Sequence, residues 1–183
     1  MTPYQHHRNK WNDCELCDLC NRRKHVVLYR GKIPCDILYL GEAPGKSEDA
    51  VGKPFVGQAG HLLDRIVREA LEESGTSYTV GFTNVVACIP RDAESWEKVH
   101  DPPKESVTAC TDRLLEIVKL ANPKLIVYVG TVAAKWGPKL LKTYSGKTAN
   151  IIHPAAIMRA GVMQRGLLSR KCVITIRDIL EEL

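Results

Sequence analysis

Hydrophobic and polar positions along this chain alternate between strand-like and helix-like periods. Residues 36–40 (DILYL) form a short apolar run ending at Gly41, which predicts a buried strand entering a glycine-rich turn. Beyond the turn, Leu62, Leu63, Ile66, Val67, Ala70 and Leu71 recur at helical spacing, with Asp64, Arg65, Arg68 and Glu69 between them and Gly75 as a stop. Residues 78–88 (YTVGFTNVVAC) are rich in β-branched and aromatic side chains and predict a second strand, followed by a polar loop that contains Trp96. Asp101, Pro102 and Pro103 have the form of a helix start; Leu114, Leu115, Ile117 and Val118 give that helix an apolar face, and Asn122 and Pro123 end it. Residues 125–130 (LIVYVG) predict a third strand with a glycine exit, and Thr131 a cap for a helix reaching about Lys142. Ile151 and Ile152 predict a very short fourth strand delivering His153, and the stretch from about Val162 to Leu183 predicts a closing helix.

Strands alternating with helices imply an α/β fold, a three-layer α/β/α arrangement around a central, mainly parallel four-stranded sheet. With 183 residues and 44% hydrophobic content the chain suits one core, so residues 1–183 are expected to form a single domain. In such folds ligands bind beyond the carboxyl ends of the strands. Glu42, Asn84 and His153 lie at or near three predicted strand ends, so they are expected to converge on one pocket.

Charge and cysteine usage narrow the picture. The formal net charge of +5 fits an anionic partner, although solvated surfaces often carry as much. No run approaches the roughly 18 apolar residues of a membrane span, and the opening MTPYQHHRNKW has no apolar signal core. A soluble, intracellular, cytoplasmic protein without membrane attachment is expected. Seven cysteines make a disulfide framework improbable and leave metal ligation or burial. Cys14 and Cys17 form a CxxC pair, with Cys88 and Cys110 far downstream; Cys17 and Cys20 form a second, overlapping CxxC that offers an alternative pair. Four thiolates suit either zinc or an iron-sulfur cluster. Cys35 and Cys172 read as small buried residues.

The run GEAPGKSEDAVGKPFVGQAG (residues 41–60) places Phe55 and several glycines just before a helix, where backbone N–H groups can approach an anion or a flat base and Phe55 can stack. It is neither a Walker loop nor GxGxxG. By itself it is compatible with an ordinary strand-to-helix turn. Arg22, Arg23, Lys24 and His25 form one basic cluster and Arg159, Arg165, Arg170 and Lys171 another.

Taken together, the GEAPG turn (Gly41 to Gly45), the acidic pair Glu48 and Asp49, GKPFVGQAG (Gly52 to Gly60), CxxCxL (Cys14 to Leu19), NVVxC (Asn84 to Cys88) and HPxxxxR (His153 to Arg159) resemble the iron-sulfur branch of the uracil-DNA glycosylase superfamily, family four. The resemblance spans nearly the whole chain. It implies a monomeric DNA-repair enzyme that flips uracil out of DNA and hydrolyses its glycosidic bond. It implies a [4Fe-4S] cluster held by Cys14, Cys17, Cys88 and Cys110, acting as a structural staple for the N-terminal segment. Ala43, Glu48, Phe55 and Asn84 are implied to contact the base, the Asn84 amide matching the N3–H and O4 edge of uracil. His153 is implied to donate to O2 of the departing base, Glu42 to place or activate water, and Arg159 to contact DNA. Glu48 and Asp49 would shape the pocket against a thymine methyl group or cap the loop, and Ile157 and Met158 would suit a wedge behind the extruded base. The segment between Thr131 and His153 is short for the family and lacks an arginine-glycine step, which keeps open a DNA-binding or regulatory accessory with little activity.

Overall fold

The computed structural model describes residues 1–92 and 99–183; the loop expected around Trp96 lies outside the described residues. Among the described residues five strands form one sheet: β1 (Arg30–Gly31), β2 (Ile37–Gly41), β3 (Val80–Asn84), β4 (Leu125–Val129) and β5 (Lys147–Ile151), in the order β1-β3-β2-β4-β5. The four longer strands are parallel, and the two-residue β1 pairs antiparallel with β3 at the edge.

The expected architecture is therefore correct and the count of four strands is one short. A two-residue strand carries too little periodicity to register in sequence. The last strand is also longer than expected and ends at Ile151, leaving Ile152 outside it. At this edge only Ala149 and Ile151 are buried, so the strand lacks the unbroken apolar run that marks β2 and β4.

The described residues form eight α-helices, five of which pack on the two faces of the sheet. One face carries α3 (Gln58–Ser74), α7 (Pro154–Arg159) and α8 (Val162–Leu180), whose Leu63, Ile66, Ile157, Val173 and Ile176 pack with Ile37, Tyr39, Val127 and Val129. On the other face, α5 (Thr111–Ala121) and α6 (Thr131–Leu140) contribute Leu114, Ile117 and Ala133 against Leu38, Leu40, Ile126 and Tyr128. The alternation of Ile37 and Tyr39 with Leu38 and Leu40 along β2 feeds both cores, which explains why every residue of that strand is buried.

Several helices depart from the expected pattern, the six-residue α7 among them. The short α2 (Lys46–Val51) sits inside the run read as loop, ended by Gly52 at φ 77°. The helix expected from Asp101 to Asn122 is divided at Cys110 into α4 (Lys104–Ala109) and α5. An N-terminal α1 (Pro3–Trp11) opens the chain, capped by the Thr2 hydroxyl and packed on α5. Glu116 of α5 fixes it by accepting from Trp11 Nε1 at 2.7 Å and from the ammonium of Lys10.

Candidate active site

The carboxyl ends of β2, β3, β4 and β5 open into a cleft of about 860 Å³. Its lining includes Glu42, Ala43, Glu48, Phe55, Asn84, His153 and Arg159, so the residues expected to handle a base and its backbone do surround one space. The segment between β2 and α3 supplies Glu42, Ala43, Glu48 (on α2) and Phe55; Asn84 is the last residue of β3; His153 follows β5 and caps α7.

Close backbone approach explains the glycines. A Cβ on Gly41 would lie 2.3 Å from Asn84 Oδ1 and 2.4 Å from Phe55 Cζ, so only glycine lets the amide and the ring meet at the end of β2. Phe55 itself has φ 54°, a left-handed conformation that costs a non-glycine residue free energy and is retained where surrounding contacts impose it. One such contact is Gly60, where an added Cβ would sit 2.1 Å from the Phe55 carbonyl oxygen. The Phe55 ring is seated against Phe82, with ring centroids 5.9 Å apart.

Glu48 has a mainly architectural task. Its carboxylate accepts from the backbone N–H groups of Gly45 at 3.1 Å, Val56 at 2.9 Å and Gly57 at 2.8 Å, closing the loop on itself. Of the two roles expected for it, loop capping is the one these bonds perform. Asp49 points away from the cleft, fully buried, and accepts from the backbone N–H of Lys24 at 2.8 Å while facing Arg91 at 3.5 Å. It ties the segment after the cysteine pair to α2.

Asn84 is 3% exposed, yet its side-chain amide forms no hydrogen bond among the described residues. With no protein partner and a place in the cleft lining, the amide is open to an incoming ligand. His153 is oriented by its own helix: Nδ1 accepts the Ala155 backbone N–H at 3.2 Å, which in the neutral ring leaves the proton on Nε2. Burial, and then the nearby Arg159, hold the His153 pKa below its ordinary value, favouring that neutral form. Glu42 is shifted the other way. Burial, followed by the Asp101 carboxylate, pushes its pKa up to about 7. Asp101 was read only as a helix start, because no local pattern reveals a carboxylate that reaches across a cleft.

The basic clusters divide. Arg159 and Lys171 line the cleft, whereas Arg170 is engaged by Glu69 and Glu73 on α3, and Arg22 by Asp18 and the Arg91 carbonyl. Ile157 is fully buried against α3 and α8, so it cannot enter DNA; Met158 is half-buried and Ala156 exposed.

A second cavity, on the α5 side of the sheet, is bordered by Cys14, Cys17, Cys88 and Cys110 together with Trp11, Val26 and Arg113. Cys20 is not in its lining and lies in the 3-10 turn Asp18–Arg22, whereas Cys14 and Cys17 both border the cavity. Cys35 and Cys172 are buried elsewhere, as expected. Among the described residues, no three His, Cys, Asp or Glu side chains are gathered to hold a single metal ion, and the four cysteines border one small apolar cavity. Arg113 Nε is buried beside them without a partner. Four thiols and an unmatched cation are a donor set suited to an anionic, multi-atom group.

Residues 29–176 match the family model for the uracil DNA glycosylase superfamily. The chain is 34% identical over 167 residues to a Type-4 uracil-DNA glycosylase of Pyrobaculum aerophilum, covering 80% of each chain. It is 30% identical over 170 residues to the one from Archaeoglobus fulgidus, covering 79% of this chain and 78% of that one. The corresponding Saccharolobus solfataricus protein is 37% identical over 117 residues, which span 64% of this chain and half of that relative.

Proposed function

This chain belongs to the uracil DNA glycosylase superfamily, and from that premise we propose that it removes uracil from DNA by monofunctional hydrolysis of the N-glycosidic bond. The observation that carries this reading is the buried, unpaired Asn84 amide at the cleft, next to Phe55 and in the same lining as His153. Its carbonyl oxygen accepts from N3–H of uracil and its NH₂ donates to O4; cytosine presents the reverse pattern and leaves both groups unpaired. The extruded base lies against Phe55.

As the bond between C1′ and the base nitrogen breaks, the electron pair leaves with the base and negative charge grows on O2. The His153 Nε2–H donates there, and because the ring starts neutral it stabilises that charge by a hydrogen bond without first surrendering a proton. Water adds to C1′ and its proton passes to Glu42, whose pKa near neutrality suits a group that must be deprotonated before attack and protonated after it. Ala43 adjoins Glu42 in the wall of the base pocket, and Arg159 and Lys171 contact phosphates at its rim. Cys14, Cys17, Cys88 and Cys110 hold a [4Fe-4S] cluster, which supplies a structural cross-link between the N-terminal segment and the β3 and α4 ends. The protein acts as a cytoplasmic monomer on intracellular DNA; no helix among the described residues is long and apolar enough to cross a membrane.

The enzymatic reading is favoured over a binding-only accessory because Glu42 and His153 border the cleft beside the base-reading Asn84, and mere binding needs neither of these two. Purified protein is expected to release free uracil from oligonucleotides containing it, leaving an abasic site with the strand intact. Binding without release, on both single- and double-stranded substrate, would favour the accessory reading.

Glu42 also predicts a pH profile. A carboxyl with a pKa of about 7 is protonated, and inactive as a base, below that pH. kcat/KM should therefore rise with pH through an apparent pKa near 7, and Glu42→Gln should remove that limb while lowering the plateau by about 10²–10⁴. Persistence of the limb in Glu42→Gln would assign it to another group, His153 foremost.

A further inference from the structure

Arg113 stands between the cysteine cavity and the base-reading end of β3. It projects from α5 in line with Ile117 and Ala121, the stripe that packs on the sheet, and is only 2% exposed. Nη1 donates to Thr83 Oγ1 at 3.0 Å, and Nη2 donates to the carbonyls of Asn84 at 2.6 Å and Val85 at 2.7 Å. Every one of these acceptors is neutral. No carboxylate pairs with the guanidinium among the described residues, and its Nε is buried with nothing to donate to.

A guanidinium in that position requires a counter-charge, because the cost of taking it out of water is not recovered from neutral acceptors alone. The groups placed beside it are thiols: Cys14, Cys17, Cys88 and Cys110 border the cavity that Arg113 also borders.

We infer that Arg113 is the charge partner of the cysteine-bound cluster and, through the same guanidinium, the positioning residue for Asn84. The inference rests on the cluster-bearing glycosylase reading above. A cluster held by four thiolates is anionic, and Nε is the donor left over for it while Nη1 and Nη2 hold the strand end. The clamp extends to the opposite wall of the pocket: the Val85 N–H donates to the Gly41 carbonyl and the Val86 N–H to the Glu42 carbonyl, both at 2.9 Å. Asn84 and Glu42 thus hang from one backbone unit that Arg113 ties to the cysteines.

The test compares wild-type protein with Arg113→Met and Arg113→Lys, all purified anaerobically. Iron and acid-labile sulfide, the rate of iron release to an external chelator, and kcat and KM for uracil release are measured. Arg113→Met should bind iron but release it about tenfold faster or more, with kcat lowered about tenfold. Arg113→Lys keeps the charge but cannot span a hydroxyl and two carbonyls at once, so it should retain iron within about twofold of wild type while still losing kcat. Iron held by Arg113→Met as long as by wild type, or lost from Arg113→Lys as fast as from Arg113→Met, overturns the inference. If Arg113→Met does not fold, the lysine variant decides: retention within about twofold supports the role and release about tenfold faster refutes it. Wild-type protein without iron and sulfide overturns the cluster reading and this inference with it, whereas loss of uracil release alone leaves the iron measurements to judge Arg113.

Discussion

Replacing His153 by alanine is expected to lower kcat for uracil release by about 10²–10³ with little change in KM, as loss of one preorganised donor to a developing anion does. The effect falls on kcat because the base O2 carries its negative charge only as the glycosidic bond breaks; in the ground state it is an ordinary carbonyl with a weaker claim on the donor. A structural loss must be separated from the chemical one, since His153 Nδ1 also caps α7 through the Ala155 N–H. Removing a cap costs about 1 kcal/mol. His153→Asn retains a side-chain acceptor at the cap position but lacks the Nε2–H, so it should melt near the wild-type temperature and be almost as slow as the alanine variant. Single-turnover release and thermal melting of the two variants decide the matter. A fall in kcat below about tenfold in both would remove His153 from the transition state.

The fold was legible where burial imposes a period. The strands at 36–40 and 125–130 and the helix around Leu63 to Leu71 are apolar on the faces they bury, and the structure keeps all three. What escaped was short or shaped by contacts distant in sequence. The two-residue β1 and the six-residue α2 and α7 are too brief to display a period, and the last two depend on caps and close approaches. At the site, Glu42, Asn84 and His153 were legible because each lies at or near a strand end, and parallel strands bring their carboxyl ends together. Asp101 and Arg113 were not, because their meaning lies in partners brought near by the fold. Arg113 did leave one signal: a charge in register with Ile117 and Ala121 on an otherwise apolar helix face. The two overlapping CxxC pairs are equivalent as text, and only the direction of the chain after Cys17, into the 3-10 turn, takes Cys20 away from the cavity.

Cys110→Ala should yield protein without its iron-sulfur absorbance and less stable by on the order of 3–5 kcal/mol, the scale for loss of a cross-link that closes a long loop. The loss should also be local before it is global. Contacts that do not involve the thiols flank Cys14 and Cys17: Trp11 and Lys10 on Glu116 before them, and the Lys24 and His25 backbone on Asp49 after them. The buried Leu19 and the bond from Arg22 to the Arg91 carbonyl lie in between. With the flanking contacts in place, the stretch from Asn12 to Arg23 has only Leu19 and the Arg22 contact left to hold it and should open first, so limited trypsin digestion should cut first at Arg22 or Arg23 and leave the sheet intact. Cys20→Ala, which alters a thiol outside the cavity, should keep iron, stability and protease resistance at wild-type levels. Equal iron loss in the two variants would mean that the cysteines act as a pool, not as a defined set of four. Unchanged iron content in Cys110→Ala would remove that residue from the set altogether. The catalytic consequence follows from the same geometry, since loss of the group at the cysteines leaves Arg113 without its counter-charge while it still grips the Asn84 and Val85 carbonyls. Uracil release by Cys110→Ala should therefore fall at temperatures where the sheet remains folded, and a variant that melts early yet turns over normally below its melting point would uncouple the staple from the pocket.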